Sequence, residues 1–350
     1  MNDYLKKAKN NFEQIRAHRR DFHKHAEIGF QETRTAGKIA EYLRSLNIEV
    51  QTGIAKTGVV GILRCGSGKT VALRADIDAL PMDEKNTVPY ASVNPGAAHM
   101  CGHDAHIAIL MEAARLLKEN ETNLKGNVKF IFQPCEDMIP SGAEPMIKEG
   151  VMENPRVDAV FTMHVSTSND LGTLWVKREY ASISSAGFSL TLKGKGTHIS
   201  QPHRGVDPIN MAAMLINSSQ TLMLKSMAPG RLTVFGFGTI HGGTADNIVP
   251  DEVTLTGSIR TTTPEERDQA IKDFERIIKG ITDSTGGDYV LSIQMQNPSI
   301  YNTPEMVDRL FHSAEKVIGR ENLNEFTQIM AGGDDAAFFL QKAPGVYWIL

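Results

Sequence analysis

Residues 99 to 106 read HMCGHDAH, which puts three imidazoles, one thiol and one carboxylate within eight positions. Neutral imidazole and thiolate are the usual ligands of zinc-like ions, and a coordinated thiol is deprotonated outright. Cys101 and His103 are therefore candidate metal ligands. The competing interpretation is a helix N-terminus at which Asp104 offsets the dipole and the histidines are incidental. No paired C-x₂-C and H-x₃₋₅-H spacing of the structural zinc kind is present.

Three further groups sit where apolar runs end. QPCED, residues 133 to 137, closes the run NVKFIFQP with two adjacent carboxylates, Glu136 and Asp137. Such a pair makes chemical sense if one holds a metal while the other takes a proton from an activated water. Solvated turn carboxylates are the plainer alternative. His164 ends the run VDAVFTMH, where a lone histidine is as readily a hydrogen-bonded core residue as a ligand. RADIDALP, residues 74 to 81, ends another run, and its Asp76 and Asp78 are two apart and so share one strand face. Asp78 is placed to orient a ligand imidazole from behind, or else is a surface turn acid.

The elements that must position these groups follow from periodicity. TGVVGILRC, KTVALRADI, NVKFIFQP and VDAVFTMHV read as strands. A polar run to about Arg19, then QETRTAGKIAEYLRSLN, HIAILMEAARLLKEN and a stretch near AEPMIKEGV read as helices. Strands separated by helices of this length predict an α/β domain with a mixed central sheet covered by helices, and ligands in such sheets collect at the carboxyl ends of the strands. From about residue 181 the texture changes. FSLTLKGKG, RLTVFGFGTIHGG, EVTLTGSIR and YVLSIQMQ alternate as strands, and VDPINMAAMLINSSQTLM and EERDQAIKDFERIIKGIT read as helices. That order, β-α-β-β-α-β, is the ferredoxin-like pattern. The predicted organisation is a catalytic domain of residues 1–180 and 299–350, interrupted by an α+β insertion at 181–298.

Taken together, HMCGHDAH, IFQPCED, VDAVFTMHV, GKGTHISQPHRGVDP, GGTADNIVPDEV with TGSIR, and GGDDAAFFL resemble, in content and order, the M20 family of metallopeptidases. More narrowly, the chain is similar to the amidohydrolase branch that contains hippurate hydrolases, aminoacylase-like deacetylases and auxin-conjugate hydrolases. The resemblance implies hydrolysis of N-acetyl or N-aroyl amino acids to a carboxylic acid and a free amino acid, with two divalent ions (zinc, manganese or cobalt) as cofactors. It implies Cys101, His103, Asp137 and His164 as metal ligands and Glu136 as general base. Asp137 departs from the family's usual Glu-Glu pair by one methylene, which puts that ligand in question. The insertion resembles the family's lid or dimerisation domain and implies a homodimer. His198 matches a histidine presented to the scissile carbonyl, often by the partner subunit, while Asn247 and Arg260 match positions that grip the substrate carboxylate. From chemistry alone these three also read as a surface turn histidine, a turn former and a solvated strand arginine.

The family pattern includes one more ligand histidine beyond the segment matching GVYWIL, whereas this sequence has none after His312. An under-coordinated, shortened chain is the expectation drawn from that, and a catalytically impaired binding protein is one rival reading. A dipeptidase or carboxypeptidase is the other.

Composition narrows the class. The 350 residues carry a net charge of -4, with 41% hydrophobic and 22% charged residues, so a folded globular protein with no nucleic-acid footprint is expected. Three cysteines, Cys65, Cys101 and Cys135, make no disulfide framework and read as cytoplasmic. The first twenty residues show no export signal, and no apolar run approaches the ~18 residues of a membrane helix.

Overall fold

The computed structural model describes residues 3–226 and 233–350, without the side chains of 222–226. Arg231 and Leu232, the start of one expected strand, lie outside the described residues. The chain divides into two compact units. Unit 1 comprises Met1–Ala181, Ile300–Ile329 and Asp334–Leu350, and unit 2 comprises Ser182–Ser299 and Met330–Gly333.

Unit 1 is built on a mixed eight-stranded sheet. Its strands run in the order Glu49–Ile54, Gly58–Arg64, Asn127–Gln133, Thr70–Asp76, Ala159–His164, Gly345–Ile349, Leu174–Val176, Leu323–Glu325. The centre is parallel: Thr70–Asp76 pairs with Asn127–Gln133 on one side and Ala159–His164 on the other, and Gly345–Ile349 extends that run. Continuous apolar strands need cover on both faces. The helices Phe12–Lys24, Thr33–Ser45 and His103–Glu119 bury Phe22, Ile39, Leu43, Ile107 and Met111 against Phe130 and Phe132. Val307, Leu310 and Phe311 of the helix Pro304–Ile318 pack with Val346 and Leu174 in a second cluster.

Two differences from sequence expectation have simple causes. The N-terminal helix is broken into Asp3–Asn10 and Phe12–Lys24 at Asn11, whose φ of -99° and ψ of 9° leave the helical range and whose side chain donates to Glu112 at 2.7 Å. The edge strand Glu49–Ile54 lies outside the sequence expectation, because it is mostly exposed and carries little apolar periodicity.

Unit 2 is a four-stranded antiparallel sheet in the order Thr233–Gly242, Glu252–Thr261, Ser184–Lys193, Asp288–Met295. With the helices Pro208–Ser226 and Pro264–Thr285 this is the ferredoxin-like order expected. Phe188, Leu190 and Leu192 alternate toward one face and meet Met211 and Leu215 of the first helix and Phe274 and Ile278 of the second. The second helix opens on a capping box between Thr263 and Glu266. A small ribbon pairs Thr197–His198 with Ile248–Val249. Among the described residues, no helix is long and apolar enough to cross a membrane.

Candidate metal and hydrolytic centre

The carboxyl ends of the three central parallel strands of unit 1 lie side by side, so the residues just beyond them share one edge. Asp76 ends one strand, and Asp78 follows two residues later. Glu136 and Asp137 follow Gln133, and His164 ends the third strand. The helix His103–Glu119 starts at the same edge. It is entered through Gly102, which has φ +101°, and a Cβ there would meet Val165 Cγ2 at 2.5 Å. Glycine is needed at this position both for the turn and for the close approach.

Cys101, His103 and His164 each offer one ligand atom within 4.8 Å of the others, and so do Asp78, His103 and Asp137. Cys101 Sγ is 3.4 Å from His164 Nε2. The two imidazoles are oriented alike. His103 Nδ1 donates to the Asp78 carbonyl at 2.9 Å, and His164 Nδ1 donates to the Val165 carbonyl at 2.7 Å. Each Nε2 is thereby turned into the cluster, which is how second-shell bonds fix a ligand tautomer. His103 Nε2 is buried with no hydrogen-bond partner, and the carboxylate oxygens of Asp137 and Glu136 stand 3.9 and 4.0 Å from it. A thiol, two imidazoles and a carboxylate around an unbonded buried nitrogen are a donor set that fits a divalent cation of the zinc type.

Electrostatics agree with that chemistry. Burial pushes Glu136 well above the usual carboxylate range, and the neighbouring Asp334 and Asp335 push it further. Asp137 is also raised, chiefly by burial. Burial lowers His164, but its hydrogen bond with Cys101 and the charge of Asp76 win, leaving it at about 9. The Cys101 thiol is raised by burial yet lowered overall by the neighbouring imidazoles of His103 and His164. These groups are poised to exchange a proton for a cation.

The third imidazole of the motif has another role. His106 Nδ1 donates to Asp76 at 2.6 Å while its Nε2 accepts from the Val165 N–H at 3.0 Å, so neither nitrogen is left to bind a metal. Asp104 lies in the first helical turn, where its carboxylate meets both His23 at 2.9 Å and Arg19 at 3.1 Å. Sequence reasoning missed the support beneath the site. Arg74, buried completely, donates to Asp76 at 2.7 Å, Gln133 at 2.8 Å and Asp335 at 3.0 Å, and it lies 3.2 Å from Asp334. The available signal was a run of charges, Arg74 and Asp76, on an otherwise apolar strand. Asp78 accepts from the Asp137 N–H at 3.1 Å and so ties the two loops together.

The remaining expected site residues belong to unit 2. His198 is in the small ribbon and bonds to Ser200 at 2.7 Å, and Ile199 N–H donates to the Asn247 carbonyl at 3.0 Å, so these two residues are neighbours. Arg260 is exposed and pairs with Val234 and Ser185 near the opposite end of the strand Glu252–Thr261.

Residues 72–350 match the model of the peptidase family M20/M25/M40. The chain belongs to the M20 family. It is 36% identical to thermostable carboxypeptidase 2 of Saccharolobus solfataricus, over 99% of this chain and 89% of that protein. Hippurate hydrolase of Campylobacter jejuni is 33% identical over 97% of this chain and 87% of its own length. Among solved structures, the M20 dinuclear metal-binding peptidase YXEP of Bacillus subtilis superposes with a TM-score of 0.84. It is 31% identical and is matched over 97% of this chain and 89% of that one. This M20 protein is accordingly a metal-binding hydrolase with the mixed-sheet catalytic fold and a separate sheet-bearing unit.

Proposed function

We propose that this hydrolase cleaves the amide bond of N-acyl amino acids, with two divalent cations held by Cys101, His103, Asp137 and His164 and with Glu136 as the proton carrier. The observation that supports it most is the convergence of Cys101 Sγ and two Nε2 atoms beside Glu136, with His103 Nε2 unbonded. The dinuclear character of the similar Bacillus subtilis peptidase supports the count of two. Bound there, cations such as zinc, manganese or cobalt supply Lewis acidity that acidifies a water and polarises the acyl carbonyl. Glu136 takes the proton of the attacking water and returns it to the departing amine.

His198 donates to the developing oxyanion, and Asn247 and Arg260 bind the substrate carboxylate. Glu252, beside the ribbon that carries His198, and Arg260 lie eight residues apart on one extended strand, about 27 Å at ~3.4 Å per residue. A small acyl amino acid is much shorter than that. The separation supports a homodimer through unit 2, in which the partner subunit supplies the histidine and asparagine while Arg260 acts in its own subunit.

The test is release of free amino acid from hippurate, N-acetyl amino acids and dipeptides after loading with zinc, manganese or cobalt. No release from any acyl amino acid would overturn the proposal. A carboxypeptidase is the second reading, favoured by the relative of that name at 36% identity. Faster release of C-terminal residues from blocked peptides than from hippurate would select it.

A further inference from the structure

We infer that Glu32 is a positioning residue for Glu136: from its buried place in unit 1 it holds the left-handed turn at Cys135 from which the Glu136 side chain reaches toward the metal cluster. This role rests on Glu136 acting as the proton carrier, and it gives that side chain its aim. Cys135 has φ +53°, a conformation in which a Cβ crowds the following carbonyl and which glycine adopts far more readily. It stands between the strand Asn127–Gln133 and Glu136, so its backbone sets the direction in which the chain leaves the strand end. A strained residue persists only where its surroundings over-determine it, and such residues collect at functional sites. Three contacts do so here. Cys135 N–H donates to Glu32 Oε1 at 2.9 Å, and the Cys135 carbonyl accepts from the Gly142 N–H at 2.8 Å. Gly29 passes so close that a Cβ there would lie 2.6 Å from Cys135 Sγ. Residues 29–32 are thus a mould against which the turn is set.

The mould is itself fixed. Glu32 is 0% exposed, and Thr57 Oγ1 donates to its Oε2 at 2.5 Å, which leaves Oε1 facing Cys135. Just upstream, the Ala79 N–H donates to the Glu27 carbonyl at 2.8 Å, so the same stretch of chain also holds the loop that carries Asp78. Asp78 in turn accepts from the Asp137 N–H at 3.1 Å. Glu136 therefore lies between two backbone amides tied to different carboxylates, Cys135 to Glu32 and Asp137 to Asp78. Losing the Glu32 tie releases the turn on one side of Glu136 while Asp137 stays anchored, so the proton carrier loses its aim before the metal loses a ligand. Reach decides the effect, and charge does not. Glu32→Gln keeps a carbonyl oxygen for Cys135 and turns an amide to Thr57 Oγ1, whereas Glu32→Asp keeps the charge and is one methylene short.

The experiment measures metal content, kcat and KM of metal-loaded Glu32→Gln, Glu32→Asp and Glu32→Leu, with Glu136→Gln alongside, on whichever of hippurate and the N-acetyl amino acids the parent cleaves fastest. Glu32→Asp and Glu32→Leu should each lower kcat about 10- to 100-fold, the scale of a small misplacement at a reacting centre, with metal content unchanged and KM within about threefold of the parent. Glu32→Gln should keep kcat within about threefold. Adding Cys135→Gly to Glu32→Asp should recover part of the loss, because glycine takes up the turn without the tie. Parental kcat in Glu32→Asp and Glu32→Leu, a Glu32→Gln no better than Glu32→Asp, or a loss of metal in step with kcat overturns the role. With Glu136→Gln impaired, each of those outcomes leaves the proton-carrier reading standing. An active Glu136→Gln, or a parent that cleaves no acyl amino acid, removes both. Should Glu32→Leu not fold, the contrast between Glu32→Asp and Glu32→Gln decides; if neither Glu32→Leu nor Glu32→Asp folds, Glu32 serves stability alone and the role falls.

Discussion

His106 Nδ1 lies 2.6 Å from Asp76 Oδ1, with both side chains fully buried, and the same imidazole accepts the N–H of Val165 on the residue after His164. Arg74, Asp76, His106 and Val165 thus form one continuous chain of hydrogen bonds that ends beside His164. Asp76→Asn should weaken metal binding roughly 10- to 100-fold, the usual effect of losing an outer-shell partner. Titration calorimetry of the apo protein measures this. Unchanged affinity would detach Asp76 from the site. Asp334 and Asp335 still flank Arg74 in that variant, so the protein should remain folded.

Glu136→Gln keeps the shape of the side chain and removes its proton-carrying ability. Metal content should stay the same while kcat falls by about 10²- to 10⁴-fold. Elemental analysis together with steady-state rates checks it, and an active, metal-loaded Gln variant would exclude Glu136 as the base.

Cys101→Ser exchanges a soft ligand for a hard one. Cobalt-loaded parent protein should show a sulfur-to-cobalt charge-transfer band that the variant lacks, and zinc affinity should drop. An identical spectrum in both would place the thiol outside the coordination sphere.

Glu32 is wholly buried, and burial raises it to about 7 even though Thr57 Oγ1 and the Cys135 N–H both donate to it. Its folded pKa exceeds the unfolded value of 4.5, so the native state binds the extra proton between those two pH values. The associated stability is fully present below pH 4.5 and is lost as pH rises toward 7, by on the order of 3 kcal/mol. Glu32→Gln should flatten that slope. Urea denaturation at several pH values reads it directly, and equal slopes would refute the assignment.

Lys129 is 1% exposed and donates to the carbonyls of Val151, Glu153 and Pro155 at 2.7–3.0 Å. Lys129→Met strands three acceptors and should destabilise the protein by about 3 kcal/mol. A denaturation midpoint that does not move would show those carbonyls to be satisfied elsewhere.

The candidate cluster could be read from the sequence because metal chemistry concentrates rare residue types, and HMCGHDAH and QPCED stand out against apolar surroundings. The strand ends could be read too, since long buried runs such as NVKFIFQ carry a strong signal. What remained hidden is non-local. Arg74 meets Asp335 across 261 positions, and no local spacing announces that pairing. The role of His106 was hidden too, since its two partners, Asp76 and the Val165 N–H, come from other segments of the chain. The exposed edge strand Glu49–Ile54 gave no periodicity to detect. Arg260 and His198 read as equal members of one site, but strand register puts them toward opposite ends of unit 2.

The strand Ala159–His164 takes one neighbour from residues 70–76 and the other from residues 345–349. Asp334 and Asp335 join Arg74 from the same late stretch of chain. During synthesis, then, most of the polypeptide is outside the ribosome before the flank of His164 and the acidic neighbours of Glu136 exist. Pairings this distant in sequence form slowly. A nascent chain bearing only its first three hundred residues therefore carries Cys101, His103 and His164 without the strand that flanks His164 and without the acidic pair beside Glu136.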